Sequence, residues 1–292
     1  MENSANITQI IMDTINSILE TLFSSIDNSL YSVLDDVTFI HSDILQDNNF
    51  ENLFGTSASN GILLIANSFL LAFILYYACR YFLAHFTYAQ TEAPVSFLIK
   101  LVLCGIVMNF SFFVIGFILD ITSNVSLAIR SLGETLFHKE ICFSELIHTI
   151  NTTIAIDTNS LNVFSLDGLI KGTLSVSLLN LVFSYSLRYI LIKVFVLLSP
   201  FAFLSLTLDK TNWFFKSWFR NLFSLLFIQV IVSIVLLVLF SMDYSSSNLF
   251  SKFVYVGGLY ALIRTNSLVR DFIGGVSTEV SQSVKSFIGF KS

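Results

Sequence analysis

Three stretches of this chain run for 19, 19 and 22 residues without a single charged side chain. GILLIANSFLLAFILYYAC (61–79) ends at Arg80, and LVLCGIVMNFSFFVIGFIL (101–119) lies between Lys100 and Asp120. NLFSLLFIQVIVSIVLLVLFSM (221–242) lies between Arg220 and Asp243. An α-helix crosses the roughly 30 Å hydrocarbon layer with about 20 mainly apolar residues. Each run therefore predicts a membrane-spanning helix. Composition agrees: 54% of the 292 residues are hydrophobic and only 12% are charged, whereas soluble domains carry about 25% charge. Proline occurs only at Pro94 and Pro200, which suits long helices.

Two other regions read less simply. Residues 172–208 are apolar apart from Arg188 and Lys193, too long for one upright crossing and short for two. Proline removes a helical hydrogen bond and crowds the preceding turn, so the break in this region is expected at Pro200, as a kink, a hinge or a re-entrant turn. Residues 244–263 carry one charge, Lys252, and a Gly257-Gly258 pair that allows close helix approach.

Charge asymmetry orients the spans. Residues 1–60 hold nine acids and no Lys or Arg, which argues against a signal peptide and, by the positive-inside rule, against cytoplasmic exposure. With the N-terminus outside and a single crossing in 172–208, 11 basic residues fall inside and four outside, while four acids fall inside and 16 outside. The expected fold is an all-α polytopic membrane protein of about five transmembrane helices, near 61–83, 98–119, 172–198, 221–242 and 248–263. One helix is broken or re-entrant near Pro200. The 120–168 loop is then external, the 209–220 loop cytoplasmic, and Arg188 and Lys193 snorkel to the cytoplasmic interface.

Amphipathic helices are expected at both ends. Apolar residues recur at three- and four-residue spacing through 6–37, with no basic residue on the polar face, so this extracytoplasmic segment (1–60) packs on protein rather than on lipid. The tail, 264–292, repeats an apolar residue every four from Leu268 to Val284, interrupted by Gly274-Gly275 as a hinge or a tight contact.

Catalytic chemistry is not written here. There is no phosphate-cradling glycine loop, no nucleophile elbow and no pair of intramembrane carboxylates. His41, His85, His138 and His148 are dispersed, and Cys79, Cys104 and Cys142 are odd in number and widely spaced. No enzyme activity, cofactor, metal site or disulfide framework is expected. The residues that draw attention are polar groups within apolar runs: Asn67, Asn109, Asn180, Arg188 and Gln229. They serve either as interhelical hydrogen-bonding groups or as the lining of a wet path.

Residues 187–240 read LRYILIKVFVLLSPFAFLSLTLDKTNWFFKSWFRNLFSLLFIQVIVSIVLLVLF. A long apolar helix reaches Ser-Pro, and a short apolar piece, a Trp-bearing polar turn and a Gln-containing span follow. This pattern, through Pro200, Phe201, Phe203, Trp213, Trp218 and Gln229, resembles the TrbL-like family of polytopic inner-membrane channel subunits of type IV secretion and conjugation systems. The compact layout is similar to versions on conjugative elements of Gram-positive bacteria. The resemblance covers about a fifth of the chain. It implies a non-catalytic, ring-forming subunit in the bacterial cytoplasmic membrane, working beside other channel subunits and cytoplasmic ATPases to pass single-stranded DNA or protein. The 209–220 segment, with Trp213, Lys216, Trp218 and Arg220, would then contact DNA by stacking and charge or anchor at the lipid interface. A small-molecule or ion transporter and a structural membrane scaffold are the alternative classes.

Overall fold

The computed structural model describes residues 10, 14, 17, 18, 21, 33–55, 61–88, 93–153, 166–242 and 249–275. The expected tail helix beyond 275 and most of the expected helix over 6–37 lie outside the described residues. Residues 33–38 are helical and lead into a 3-10 turn at Ser42–Leu45. Eight helices follow among the described residues: α1 (Asn48–Phe54), α2 (Ile62–Thr87), α3 (Pro94–Asn109), α4 (Ser111–Phe137), α5 (Phe143–Thr153), α6 (Leu166–Leu204), α7 (Asn212–Ser241) and α8 (Leu249–Ile273). No strand occurs among the described residues. Among the described residues, four helical segments are long and apolar enough to cross a membrane: α2, α4, Gly172–Thr207 and α7. The chain is an all-α polytopic membrane protein.

Several boundaries differ from the sequence reading, each for a local reason. The span expected at 98–119 is divided at Phe110, whose φ of −90° and ψ of 4° leave helical geometry. Asn109 Nδ2 donates to the Gly105 carbonyl at 2.8 Å, four residues back in its own helix, and such back-bonding bends helices. The second half, α4, then continues to Phe137, so much of the segment read as an external loop (120–168) is helical, with α5 adding Phe143–Thr153. Pro200 does not break α6. The helix runs through it and ends four residues later in a 3-10 turn, Ser205–Thr207. At 39 residues, α6 is about 58 Å long at 1.5 Å per residue, so one helix accounts for the stretch that was too long for one upright crossing. The 209–220 loop shrinks to a short turn, because α7 starts at Asn212. α8 runs ten residues past its expected end at 263.

Contacts fix the directions of the helices. α2 and α3 form an antiparallel pair: Asn67 bonds Asn109 at one end and Tyr77 stacks on Phe97 at the other, with ring centroids 3.8 Å apart. α6 and α7 are antiparallel too, joined by Trp218 Nε1 donating to the Phe195 carbonyl at 2.8 Å. α8 returns along α7, with Gly258 against Leu239 and Gly275 against Ser224. Those glycines differ in purpose. Gly258 has no room for a Cβ, whereas nothing lies within 4 Å of a Cβ at Gly257. Gly274 and Gly275 both take positive φ (78° and 153°) and end α8 in tight contact with Arg220 and Ser224, so this pair is the close contact and not a mid-helix hinge.

α7 is the centre of the bundle, with 61% of its apolar window buried, and α2 its opposite, with 6%. Arg80, Phe97 and Lys100 gather with residues 207–210 at one end, where Lys100 pairs with Asp209 at 3.5 Å. Residues 33–46 and the start of α5 meet at the other. There the Asp35 carboxylate caps α5, accepting from Phe143 N at 2.8 Å, Ser144 N at 3.1 Å and Ser144 Oγ at 2.6 Å.

Candidate functional site: a buried arginine under an N-terminal strap

Arg188 sits on the face of α6 turned towards α7, and its side chain is fully buried. A guanidinium is always charged and offers five donors in a planar fork. Its donors reach three acceptors on two different parts of the chain. Nε donates to the Leu225 carbonyl at 2.7 Å, Nη2 to Gln229 Oε1 at 3.3 Å and Nη1 to the Thr38 carbonyl at 2.8 Å. Leu225 and Gln229 are four apart on α7, hence neighbours on one helix face, which lets one planar fork meet both. Gln229 Oε1 also accepts from the Ile40 backbone N–H at 3.1 Å.

The acidic N-terminal segment is therefore a strap drawn into the bundle. Leu34, Thr38, Ile40 and Leu45 are each 2% exposed or less. Two further cations hold it through aromatic faces. Arg130 of α4 lies 4.0 Å from the Phe39 ring centroid, and Lys193 of α6 lies 5.2 Å from that of Phe50. Cation–π contacts of this kind gain strength when desolvated. Beside the strap opens a cavity of about 490 Å³ lined by Asp35, Asp36, His41, Asp43, Arg130 and Tyr189, among others.

No ion pair of Arg188 occurs among the described residues; carbonyl and amide oxygens satisfy it instead. A buried charge without a carboxylate partner is costly in a membrane protein and marks an interior facing other polar groups. The polar seam continues along α7. Ser233 Oγ donates its one proton to the Gln229 carbonyl at 2.9 Å, so Ser126 of α4 is the donor in the 2.6 Å Ser126–Ser233 contact. Gln229 Nε2 and Thr38 Oγ1 are buried and have no hydrogen-bond partner among the described residues. Asn266, 4% exposed on α8, has neither amide atom bonded among them.

Of the residues singled out by sequence, the fold unites Arg188 and Gln229. Asn67 and Asn109 form a separate reciprocal amide pair, at 3.1 and 3.2 Å, on the outer side of the bundle. Asn180 lies half-buried on α6 and is not among the residues bonded to Arg188 or Gln229. Arg188 and Lys193 do not snorkel to a cytoplasmic border; both turn to the segment assigned to the outside, because it supplies carbonyls and rings that water would otherwise replace. Trp213, Lys216, Trp218 and Arg220 sit on the first turns of α7 rather than in a loop. Trp213 is 68% exposed, but Trp218 is 3% exposed, wedged between Phe203 and Phe215, so its indole packs the α6–α7 hairpin and offers no stacking platform. The Arg188 acceptors at Thr38 of the strap and Leu225 of α7 are backbone groups and left no side-chain signal in the sequence. Asp35 and the aromatics Phe39 and Phe50 were legible only as members of an acidic, apolar-patterned segment.

Comparison with known protein families, with characterised proteins and with solved structures finds no match for this chain. The class is thus defined by fold and site alone: a polytopic helical membrane protein with a charged group locked in its core.

Proposed function

We propose that the chain is a non-catalytic, oligomeric channel or platform subunit of a type IV secretion apparatus, transferring DNA or protein. It lies in the bacterial cytoplasmic membrane with the strap outside, the 208–211 turn inside and the C-terminus inside. Other channel subunits and cytoplasmic ATPases are its partners. One observation carries the reading. The segment that resembles the TrbL-like family, 187–240, folds as the α6–α7 hairpin at the heart of the bundle, and both halves of the buried Arg188–Gln229 pair sit on it. Supporting it, α2 leaves most of its side chains exposed for lipid or for neighbouring subunits. The strap bonds α6 and α7 at Arg188 and Gln229, several turns along both helices from the 208–211 turn, which fits an N-out topology.

The test is purification in mild detergent from cells carrying the surrounding genes. A multimer that retains a cytoplasmic ATPase is the expected result. Monomers that catalyse saturable uptake of a small solute would replace this reading with a transporter, and monomers with neither property would leave a scaffold.

A further inference from the structure

At the end of the bundle away from the strap, a cavity of about 220 Å³ lies between α2, α3 and the turn after α6. Its apolar walls are Tyr76, Tyr77, Phe97 and Leu208, and its charged groups are Arg80, Lys210 and Asp209. The one carboxylate is drawn to Lys100 at 3.5 Å, which leaves both cations available to a ligand. Thr207 also lines the cavity. It is 1% exposed, and its Oγ1 has no hydrogen-bond partner among the described residues. A buried hydroxyl left in this state costs stability unless something else satisfies it. The cavity thus combines an unsatisfied polar group, two cations at its mouth and rigid aromatic walls, with Tyr77 and Phe97 stacked 5° from parallel.

We propose that this cavity binds a phosphate-bearing headgroup, that of an anionic phospholipid. The phosphate sits between Arg80 and Lys210 and accepts from the Thr207 hydroxyl. Position favours a lipid over a free anion. Arg80 is the first charge after the uncharged run 61–79, which places the mouth at the membrane–water boundary. Leu71, Leu75 and Tyr76 on the same helix are exposed at 71%, 66% and 45%, forming an apolar track along which acyl chains continue. Basic pockets between membrane helices are suited to such headgroups, and tyrosines favour the same depth. The site does not rest on the secretion reading and holds equally for a transporter or a scaffold.

Native mass spectrometry of the full-length, delipidated protein tests the proposal, with phosphatidylglycerol, phosphatidylcholine or inorganic phosphate added in turn. The wild type should retain one phosphatidylglycerol per chain in preference to phosphatidylcholine. The double variant Arg80→Gln/Lys210→Gln should lose roughly 10- to 30-fold in that retention, the worth of two interfacial cations at about 1 kcal/mol each. Thr207→Val, nearly the same in volume, should lose less, and its elution profile controls for folding. Equal retention of the two lipids by the wild type, or undiminished phosphatidylglycerol binding by the double variant, would overturn the site. Displacement of the lipid by inorganic phosphate at comparable concentration would overturn the lipid as ligand and assign the site to the free anion.

Discussion

Gln229→Leu is the most informative single change in the core. Arg188 itself is a poorer target, because removing a buried charge also removes the cost of burying it, and the two effects oppose each other. Gln229 Oε1 accepts from Ile40 N at 3.1 Å and from Arg188 Nη2 at 3.3 Å. Leucine keeps the volume but leaves a buried backbone N–H orphaned, at about 1–3 kcal/mol, and deprives the guanidinium of a charge-assisted bond, at about 1.5–3 kcal/mol. Against this, the unsatisfied Nε2 disappears, returning about 1–3 kcal/mol. The net is a loss of about 2 kcal/mol, or a fall in Tm of roughly 3 °C for a chain of this size. Gln229→Glu retains both acceptor contacts, supplies Arg188 with a counter-charge and eliminates the orphan donor, so its Tm should equal or exceed that of the wild type. Thermal unfolding in detergent reads the Tm, and hydrogen exchange reads the strap. Faster exchange over residues 38–46 in the leucine variant is expected, since Ile40 loses its acceptor. An unchanged Tm together with unchanged exchange in that segment would refute the network as the lock on the strap.

The remaining expectations concern helix packing and the loop before α5. Gly258→Val should destabilise the α7–α8 contact by about 1–3 kcal/mol through overpacking against Leu239, whereas Gly257→Ala, facing open space, should leave thermal stability unchanged or slightly raised; equal effects at the two positions would contradict the packing. Cys142 lies outside the spans, and burial, the largest influence, pushes its thiol above the ordinary value. Because the thiolate is the reactive form, alkylation of Cys142 in a protein lacking Cys79 and Cys104 should be slower at pH 7 than in the denatured chain, with the midpoint of its rate–pH curve displaced to higher pH. Coincident midpoints for the folded and the denatured chain would be the contrary result.

Membrane embedding was legible because burial in hydrocarbon demands an uninterrupted apolar run, and that demand is written in every residue of 61–79 and 221–242. The helix ends were less legible, because capping and packing set them. Asn109 bonding back to Gly105 divides a run that looks continuous, and Pro200 is carried inside α6 by the surrounding helix. Arg188 and Gln229 stood out as polar residues in apolar surroundings, yet their partnership depends on the antiparallel register of α6 and α7, which no local pattern encodes. Least legible was the strap. Its acidic composition led to the expectation of an external position, but its contacts come from the backbone carbonyl of Thr38 and the N–H of Ile40, which leave no side-chain signature. The same limit applies to Trp218, whose burial against Phe203 and Phe215 is a tertiary fact.

Cysteine labelling in sealed inverted and right-side-out vesicles tests the arrangement of strap and bundle most directly. In a background without Cys79, Cys104 and Cys142, single cysteines at the exposed positions Asp43 and Lys216 report the two ends of the bundle. Asp43→Cys should react with a membrane-impermeant maleimide only from outside and Lys216→Cys only from the cytoplasmic face. Reaction of both from the same face would contradict it.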